Sequence, residues 1–274
     1  MDNYTDIQCS PPPVAVPPQA AESIVAADIS KQFGKVTAVD HLNLLVREGE
    51  FFGFLGPNGA GKSTTIRMLC GLLRPDSGGV RIAGYEAATH LTEIKRVIGV
   101  LPDEPNLYDR LTGREYVTFA GQMYGLGKEE ASRRTKDLLD LMQMTEDPKK
   151  LIVDYSLGTR KKVALAAALI HRPRVLFMDE PFNGIDPISV RSLRDVLLQL
   201  TARGVTIFIS SHVMEVIEKL CTRIAVITRG KIVGVGTVEQ LRAQSESGIN
   251  SSLEDVFIKL VQGEVKSSES LEWL

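Results

Sequence analysis

The octapeptide GPNGAGKS, Gly56 to Ser63, constrains this chain more than any other stretch. It stands between FFGFL, a short apolar run with strand composition, and TTIRML, the start of a helical pattern. Glycines at 56, 59 and 61 permit positive φ and close backbone approach. Successive N–H groups can then converge on an anion at a helix N-terminus, where the helix dipole adds partial positive charge. The pattern G-x-x-x-x-G-K-[ST] in this context predicts a loop that cradles phosphates. Gly56, Pro57, Asn58, Gly59, Ala60 and Gly61 would form the cradle. Lys62 would reach the β- and γ-phosphates, Ser63 would ligate Mg²⁺, and Thr64 would assist at the α-phosphate. A glycine turn that only caps a helix is the plain alternative, and the flanking strand and helix argue against it.

A second motif, VLFMDE from Val175 to Glu180, is an apolar strand ending in two carboxylates. In an open parallel sheet such a strand delivers both groups to the carboxyl edge, where ligands bind. Asp179 is the candidate Mg²⁺ ligand, and Glu180 the candidate base that orients and deprotonates an attacking water. An acidic pair at a turn is common and usually only solvated. Its occurrence downstream of a phosphate loop gives it functional weight.

The chain around these motifs reads as alternating strands and helices. Residues 1–22, with PPPVAVPP, favour extended, solvated backbone and are expected to form a disordered Pro-rich tail. Strand-like runs IVAADIS, HLNLLVRE and FFGFLG lead to a helix over 62–73, and GVRIAG and VIGVLP follow. From about 105 to 160 the composition shifts to helix formers, opening on Thr112 and Glu115 in a T-x-x-E capping box. This segment, with a second helix over 128–144, is the expected helical insert. Helices over 161–171, 188–203 and 213–221 alternate with strands VLFMD, VTIFISS and RIAVIT, as in a largely parallel sheet covered on both faces. The expected domain spans 23–245, followed by a C-terminal helix capped at Ser252 and a polar tail within 246–274.

Composition excludes several classes. A formal net charge of -2 offers no bulk attraction for nucleic acid. No apolar run approaches the roughly 18 to 20 residues that span a bilayer. MDNYTDIQCS lacks the positive-then-apolar pattern of a secretory leader. Cys9, Cys70 and Cys221 lack metal-ligand spacing and are expected to be reduced thiols, and the four histidines are too scattered to form a metal cluster.

Taken together, the motifs resemble the ATP-binding subunit of ABC transporters over about residues 24–241. The resemblance implies an α/β fold of the P-loop NTPase kind, with N-terminal antiparallel strands, a mostly parallel core sheet and an inserted helical subdomain. It implies ATP and Mg²⁺ as ligands and ATP hydrolysis as the reaction. Phe33 matches the aromatic on which the family stacks adenine; an ordinary edge-strand aromatic is its alternative. Asp103, in VIGVLPDEPNLYDRLT, falls where the family usually has the glutamine that senses Mg²⁺ and the γ-phosphate. A carboxylate there can bind Mg²⁺ through water but loses the amide donor. PFNGIDP matches the segment whose aspartate, Asp186, reaches across the dimer; Asp186 also suits the N-cap before Pro187. His212, ending ISSH, matches the family's switch histidine, which contacts the γ-phosphate and orients the catalytic glutamate.

YSLGTRKK, Tyr155 to Lys162, falls where the family carries S-G-G-Q, the signature that reads the opposite subunit's γ-phosphate. Ser156 and Gly158 match, whereas Leu157 and Thr159 depart, and Leu157 is expected to restrict φ and add bulk near a dimer interface. By its residues alone the stretch is a helix start with a serine cap and lysines on a solvated face.

The resemblance further implies a homodimer or heterodimer of ATPase subunits around two ATP, driving a separately encoded transmembrane permease from the cytoplasmic face. SLEDVFIKL is similar to a tail found in exporters of this type, although an amphipathic docking helix through Leu253, Val256, Phe257 and Leu260 explains it equally. An ABC-type clamp acting on DNA, ribosomes or a soluble partner stays open, as does a degenerate partner of an active subunit. No nucleic-acid partner is expected.

Overall fold

A computed structural model describes residues 21–144, 147, 149–245 and 252–262. The Pro-rich tail motif, Cys9 and the segment after 262 lie outside these residues. β1 (Glu22–Phe33) and β2 (Val36–Arg47) form an antiparallel hairpin, and β3 (Phe51–Leu55) leads through the phosphate loop into α1 (Lys62–Leu69). β4 (Ser77–Ile82) returns antiparallel beside β1 and pairs with β5 (Tyr85–Glu86), giving a sheet of order β2-β1-β4-β5. After α2 (Leu91–Val97), β6 (Ile98–Leu101) enters a second sheet. α3 (Gly113–Met123), α4 (Lys128–Leu141) and α5 (Leu157–Leu169) precede the return to that sheet in β7 (Val175–Asp179). Alternation continues through α6 (Pro187–Ala202), β8 (Thr206–Ser211), α7 (Met214–Leu220) and β9 (Arg223–Thr228). β10 (Lys231–Gly236) turns back antiparallel, and α8 (Val238–Gln244) and α9 (Leu253–Gln262) follow. The second sheet has the order β10-β9-β3-β8-β7-β6 and is parallel from β9 to β6.

The period-two alternation of β3 shows how one strand serves two cores. Phe51 and Leu55 face the helices, packing with Leu176, Met178, Ile207 and Ile209 beneath α5 and α6. Phe52 and Phe54 face the antiparallel sheet and α1, packing with Phe177, Phe208, Ile24 and Ile66. Phe208 centres this second core, with Phe52 stacked on it at 5.7 Å and Phe54 and Phe177 tilted at 5.4 and 5.7 Å. Each such ring contributes on the order of 1.5–3 kcal/mol by leaving water, which fixes β3 and β8 and the loops that leave them.

Several expected boundaries move, each for a local reason. The helix predicted to run to residue 73 ends at Leu69, because Gly71 takes φ +68° and the N–H of Leu72 bonds back to the carbonyl of Arg67 at 2.8 Å. The helix predicted from 161 begins at Leu157, because Ser156 caps it. α2, β10 and α8 were not anticipated; α8 nevertheless opens on a Thr237/Gln240 capping box that the sequence contains. The box at Thr112/Glu115 and the cap at Ser252 form as expected, and Asp255 reciprocates by accepting from the Ser252 N–H. Burial raises the thiol pKa of Cys70 and of Cys221 above the ordinary value, so neither is poised as a thiolate.

Candidate functional site at the carboxyl edge of the parallel sheet

The phosphate loop is shaped by its neighbours. Gly61, the residue before α1, has φ +105°, and a Cβ there would fall 2.3 Å from the carbonyl oxygen of Ala38. A side chain is therefore excluded twice, by conformation and by space. We expect Gly61→Ala to destabilise the fold by about 1–3 kcal/mol, measurable as a lowered midpoint in urea. No side chain caps α1, so its first N–H groups lack a side-chain acceptor. Pro57, Asn58, Gly59 and Ser63 are exposed, Thr64 is half-buried and Ala60 is buried. Lys62 is 6% exposed and donates to the carbonyls of Gly56 at 2.8 Å and Pro57 at 3.2 Å.

Strand order brings the other candidates to this loop. β3, β8, β7 and β6 are parallel neighbours, so the residues following them, Gly56, His212, Glu180 and Asp103, emerge along one sheet edge. Asp179 pairs in register with Ser210, whose hydroxyl donates to Asp179 Oδ1 at 2.5 Å and accepts from the N–H of Glu180 at 3.1 Å. Ser210 escaped the sequence reading, although its position two residues before His212 in ISSH is a usable signal. Glu180 has φ +45°, an unfavoured conformation for a residue with a side chain and one that recurs at functional sites. Its Oε2 lies 2.9 Å from His212 Nδ1 and accepts from the His212 N–H at 3.3 Å. Its Oε1 stands 3.1 Å from Lys62 Nζ as an ion pair, and is buried without a hydrogen bond. A carboxylate buried between a cation and an imidazole, with one oxygen unsatisfied, is chemically equipped to hold and deprotonate a water.

The remaining candidates divide. Phe33 ends β1 with its ring half exposed and the Lys31 ammonium 5.7 Å from its centroid. Ser156 caps α5 by accepting from the N–H of Thr159 at 3.2 Å, and its hydroxyl also bonds Thr159 Oγ1 at 2.9 Å. Gly158 is buried; a Cβ there would lie 3.2 Å from Ser189 Oγ, close to Asp186. Asp186 caps α6 by accepting from the N–H groups of Ile188 and Ser189 at 3.0 and 2.9 Å. Bonds from Ser189, side chain first and then backbone, hold its carboxyl below the usual range.

Leu157 sits in the first turn of α5 and is absent from the positive-φ residues, so the restriction it places on φ carries no backbone strain, and its side chain is exposed beside the Ser156 segment. One expectation is overturned. Lys161 does not lie on a solvated face: it is 1% exposed. Its ammonium donates to the carbonyls of Glu180 and Asn183, both at 2.9 Å, and lies 3.4 Å from Asp103 Oδ1. Asp103 thus faces a lysine of α5. Among the described residues, no cluster of three or more His, Cys, Asp or Glu could by itself hold a metal.

A family model described as ABC transporter matches residues 39–183, from β2 to the turn after Glu180. The chain belongs to the ABC transporter family. It is an ATP-binding subunit of that family, with the ABC ATPase fold and ATPase activity. It is 42% identical over 216 residues to the linearmycin resistance ATP-binding protein LnrL of Bacillus subtilis, covering 79% of this chain and 70% of that one. It is 37% identical over 233 residues to the bacitracin transport ATP-binding protein BcrA of Bacillus licheniformis, covering 85% and 75%. A solved ATP-binding subunit of an ABC transporter superposes with TM-score 0.80 at 29% identity, covering 87% of this chain and 99% of that one. A dimeric ATP-binding cassette in a post-hydrolysis state, bound to ADP and Pi, superposes with TM-score 0.73 at 25% identity, covering 78% and 98%. The ABC ATPase fold thus accounts for the pairing of an antiparallel sheet with a parallel one.

Proposed function

We propose that this ATPase subunit hydrolyses ATP between its own phosphate loop and the Ser156 segment of a second ATPase subunit, and thereby drives a permease. The observation that carries the reading is Glu180, held between Lys62 and His212 beside the glycine loop. In this reading Glu180 accepts the proton of the attacking water, and His212 fixes the carboxylate's orientation and contacts the γ-phosphate. Lys62 exchanges its loop carbonyls for β- and γ-phosphate oxygens, which the N–H groups of Gly59, Gly61, Lys62, Ser63 and Thr64 also bind. Phe33 offers an exposed ring face for adenine.

The donor set suits Mg²⁺. A hydroxyl at Ser63 and a carboxylate at Asp179, with Asp103 engaged by Lys161, are too few for an all-protein cage, and Mg²⁺ characteristically keeps waters and phosphate oxygens. When bound, the ion would neutralise charge on the β- and γ-phosphates.

Dimerisation is supported by the surface around Ser156. Leu157 and Ile188 are exposed apolar residues beside Gly184 and Asp186, and Ile188 is 83% exposed. Replacing Ser156 with aspartate separates a cap from a phosphate reader. Aspartate caps as well as serine and suits the helix dipole, so stability should stay within about 0.5 kcal/mol. Its charge would face an incoming γ-phosphate, and ATP-dependent dimerisation should be lost by light scattering. Retained dimerisation would leave Ser156 as a cap alone.

Permease docking is supported by a groove of about 520 Å³ between the β6 edge, α3 and α5, lined by Leu72, Leu107, Tyr116, Met123 and Tyr124 among others. Tyr108, Phe119 and Met123 are exposed around it. No helix among the described residues is long and apolar enough to cross a membrane. We place the subunit on the inner face of the membrane through its permease, and assign export because relatives are named for linearmycin resistance and bacitracin transport. α9 gives that direction no independent support: Leu253 and Val256 are buried in this subunit's own core. Affinity purification from solubilised membranes should bring down a multispanning partner. Recovery with ribosomes or DNA instead would overturn the transport reading.

A further inference from the structure

Lys161 is a buried charge that the proposed chemistry does not use. It stands in the second turn of α5, on the face that also carries Ala164, Leu165 and Ala168, all buried. Burial lowers its pKa, and Asp103 opposes that shift. Side chains of this kind are kept in a core only when paired and hydrogen-bonded. Its partners are specific. One is the carbonyl of Glu180, the residue with φ +45°, and another is the carbonyl of Asn183, in the turn that follows. The Glu180 carbonyl also accepts from the Asn183 N–H at 3.1 Å, which closes that turn.

The backbone of Glu180 is therefore held from both sides. On its amino side, its N–H bonds the carbonyl and hydroxyl of Ser210 on β8, at 3.2 and 3.1 Å. On its carboxyl side, the side chain that holds it comes from α5, whose N-terminus is the Ser156 segment. Asp103, two residues beyond β6, places its carboxylate 3.4 Å from the same ammonium and is itself 40% exposed. A single ammonium thus joins the Ser156 helix, the loop after β6 and the Glu180 turn.

We propose that Lys161 is a positioning residue that holds Glu180 in its productive conformation, and that Asp103 acts as the counter-charge of Lys161. Movement of α5 or of the Asp103 loop would then reach the carboxylate through one side chain. The proposal rests on the reading of Glu180 as base. A lysine that merely satisfies two carbonyls would contribute stability and leave turnover of the folded protein unchanged.

The test measures steady-state ATPase kinetics, ATP affinity by calorimetry and thermal midpoint on the full chain. Lys161→Met keeps length and removes donor and charge. Its kcat should fall by at least about tenfold, with the ATP Kd within about threefold because the phosphate loop is untouched. Lys161→Gln, which keeps an N–H donor, should recover part of that loss. Asp103→Asn, at a half-exposed site that does not threaten folding, should lower kcat by about threefold or more and add less than about twofold in the Lys161→Met background. In a Glu180→Gln background, Lys161→Met should lower residual turnover by less than about twofold. The proposal is overturned if Asp103→Asn and the folded Lys161 variants keep kcat within twofold, or if the losses multiply in either double variant. Should Lys161→Met not fold, Lys161→Gln and Asp103→Asn decide the matter by the same thresholds. Wild-type turnover in Glu180→Gln alone would instead remove the base assignment, a failure distinguishable from that of Lys161.

Discussion

Glu180→Gln is expected to lower ATP turnover by about 10²- to 10⁴-fold while ATP binding and ATP-dependent dimerisation persist. The substitution keeps size and shape, so the strained backbone at Glu180 and its bonds to Ser210 and Lys161 should survive. What it removes is the basic oxygen. Oε1 is the buried atom without a hydrogen bond, beside the Lys62 ammonium, and an amide there cannot take a proton from water. The measurement pairs steady-state hydrolysis with light scattering in the presence of ATP. Near wild-type hydrolysis would take Glu180 out of the mechanism. Loss of binding together with turnover would point instead to a damaged loop.

Lys62→Ala is expected to weaken ATP binding by about 10- to 100-fold, the equivalent of one or two charge-assisted hydrogen bonds to phosphate. Lys62 is held by Gly56, Pro57 and Glu180, so binding ATP requires it to exchange neutral carbonyls and one carboxylate for phosphate oxygens. Its removal also takes away the ion-pair partner of the buried Glu180 carboxylate, leaving the His212 imidazole as its close contact, and some loss of stability should accompany the loss of affinity. Calorimetry on protein shown to be folded by its thermal transition separates the two effects. Unchanged affinity would sink the phosphate-loop assignment.

Local features were legible wherever one short segment carries both motif and element. FFGFL followed by GPNGAGKS and an apolar helix fixed β3, the loop and α1, because glycine conformations and capping are decided within a few residues. The caps at Thr112, Asp186 and Ser252 were readable for the same reason. Whether a side chain at Leu157 strains the backbone was not readable, because the pattern marks where a glycine is usual, while the φ actually adopted depends on where Ser156 starts the helix. Lys161 was misjudged because VALAAALI is apolar on nearly every face, which hides the buried side of α5. The spacing of Lys161 with Ala164, Leu165 and Ala168 held the clue.

The sequence by itself determined which side chains could do phosphate chemistry, since glycines, a lysine, two carboxylates and a histidine stand at strand ends in fixed local contexts. Only the tertiary structure decided which of them meet. The chain order β3, β6, β7, β8 becomes the spatial order β3-β8-β7-β6, which sets His212 and Glu180 beside Lys62 and leaves Asp103 to Lys161. The choice of strand neighbours depends on how two cores close on opposite faces of one sheet, and those contacts join residues far apart in the chain.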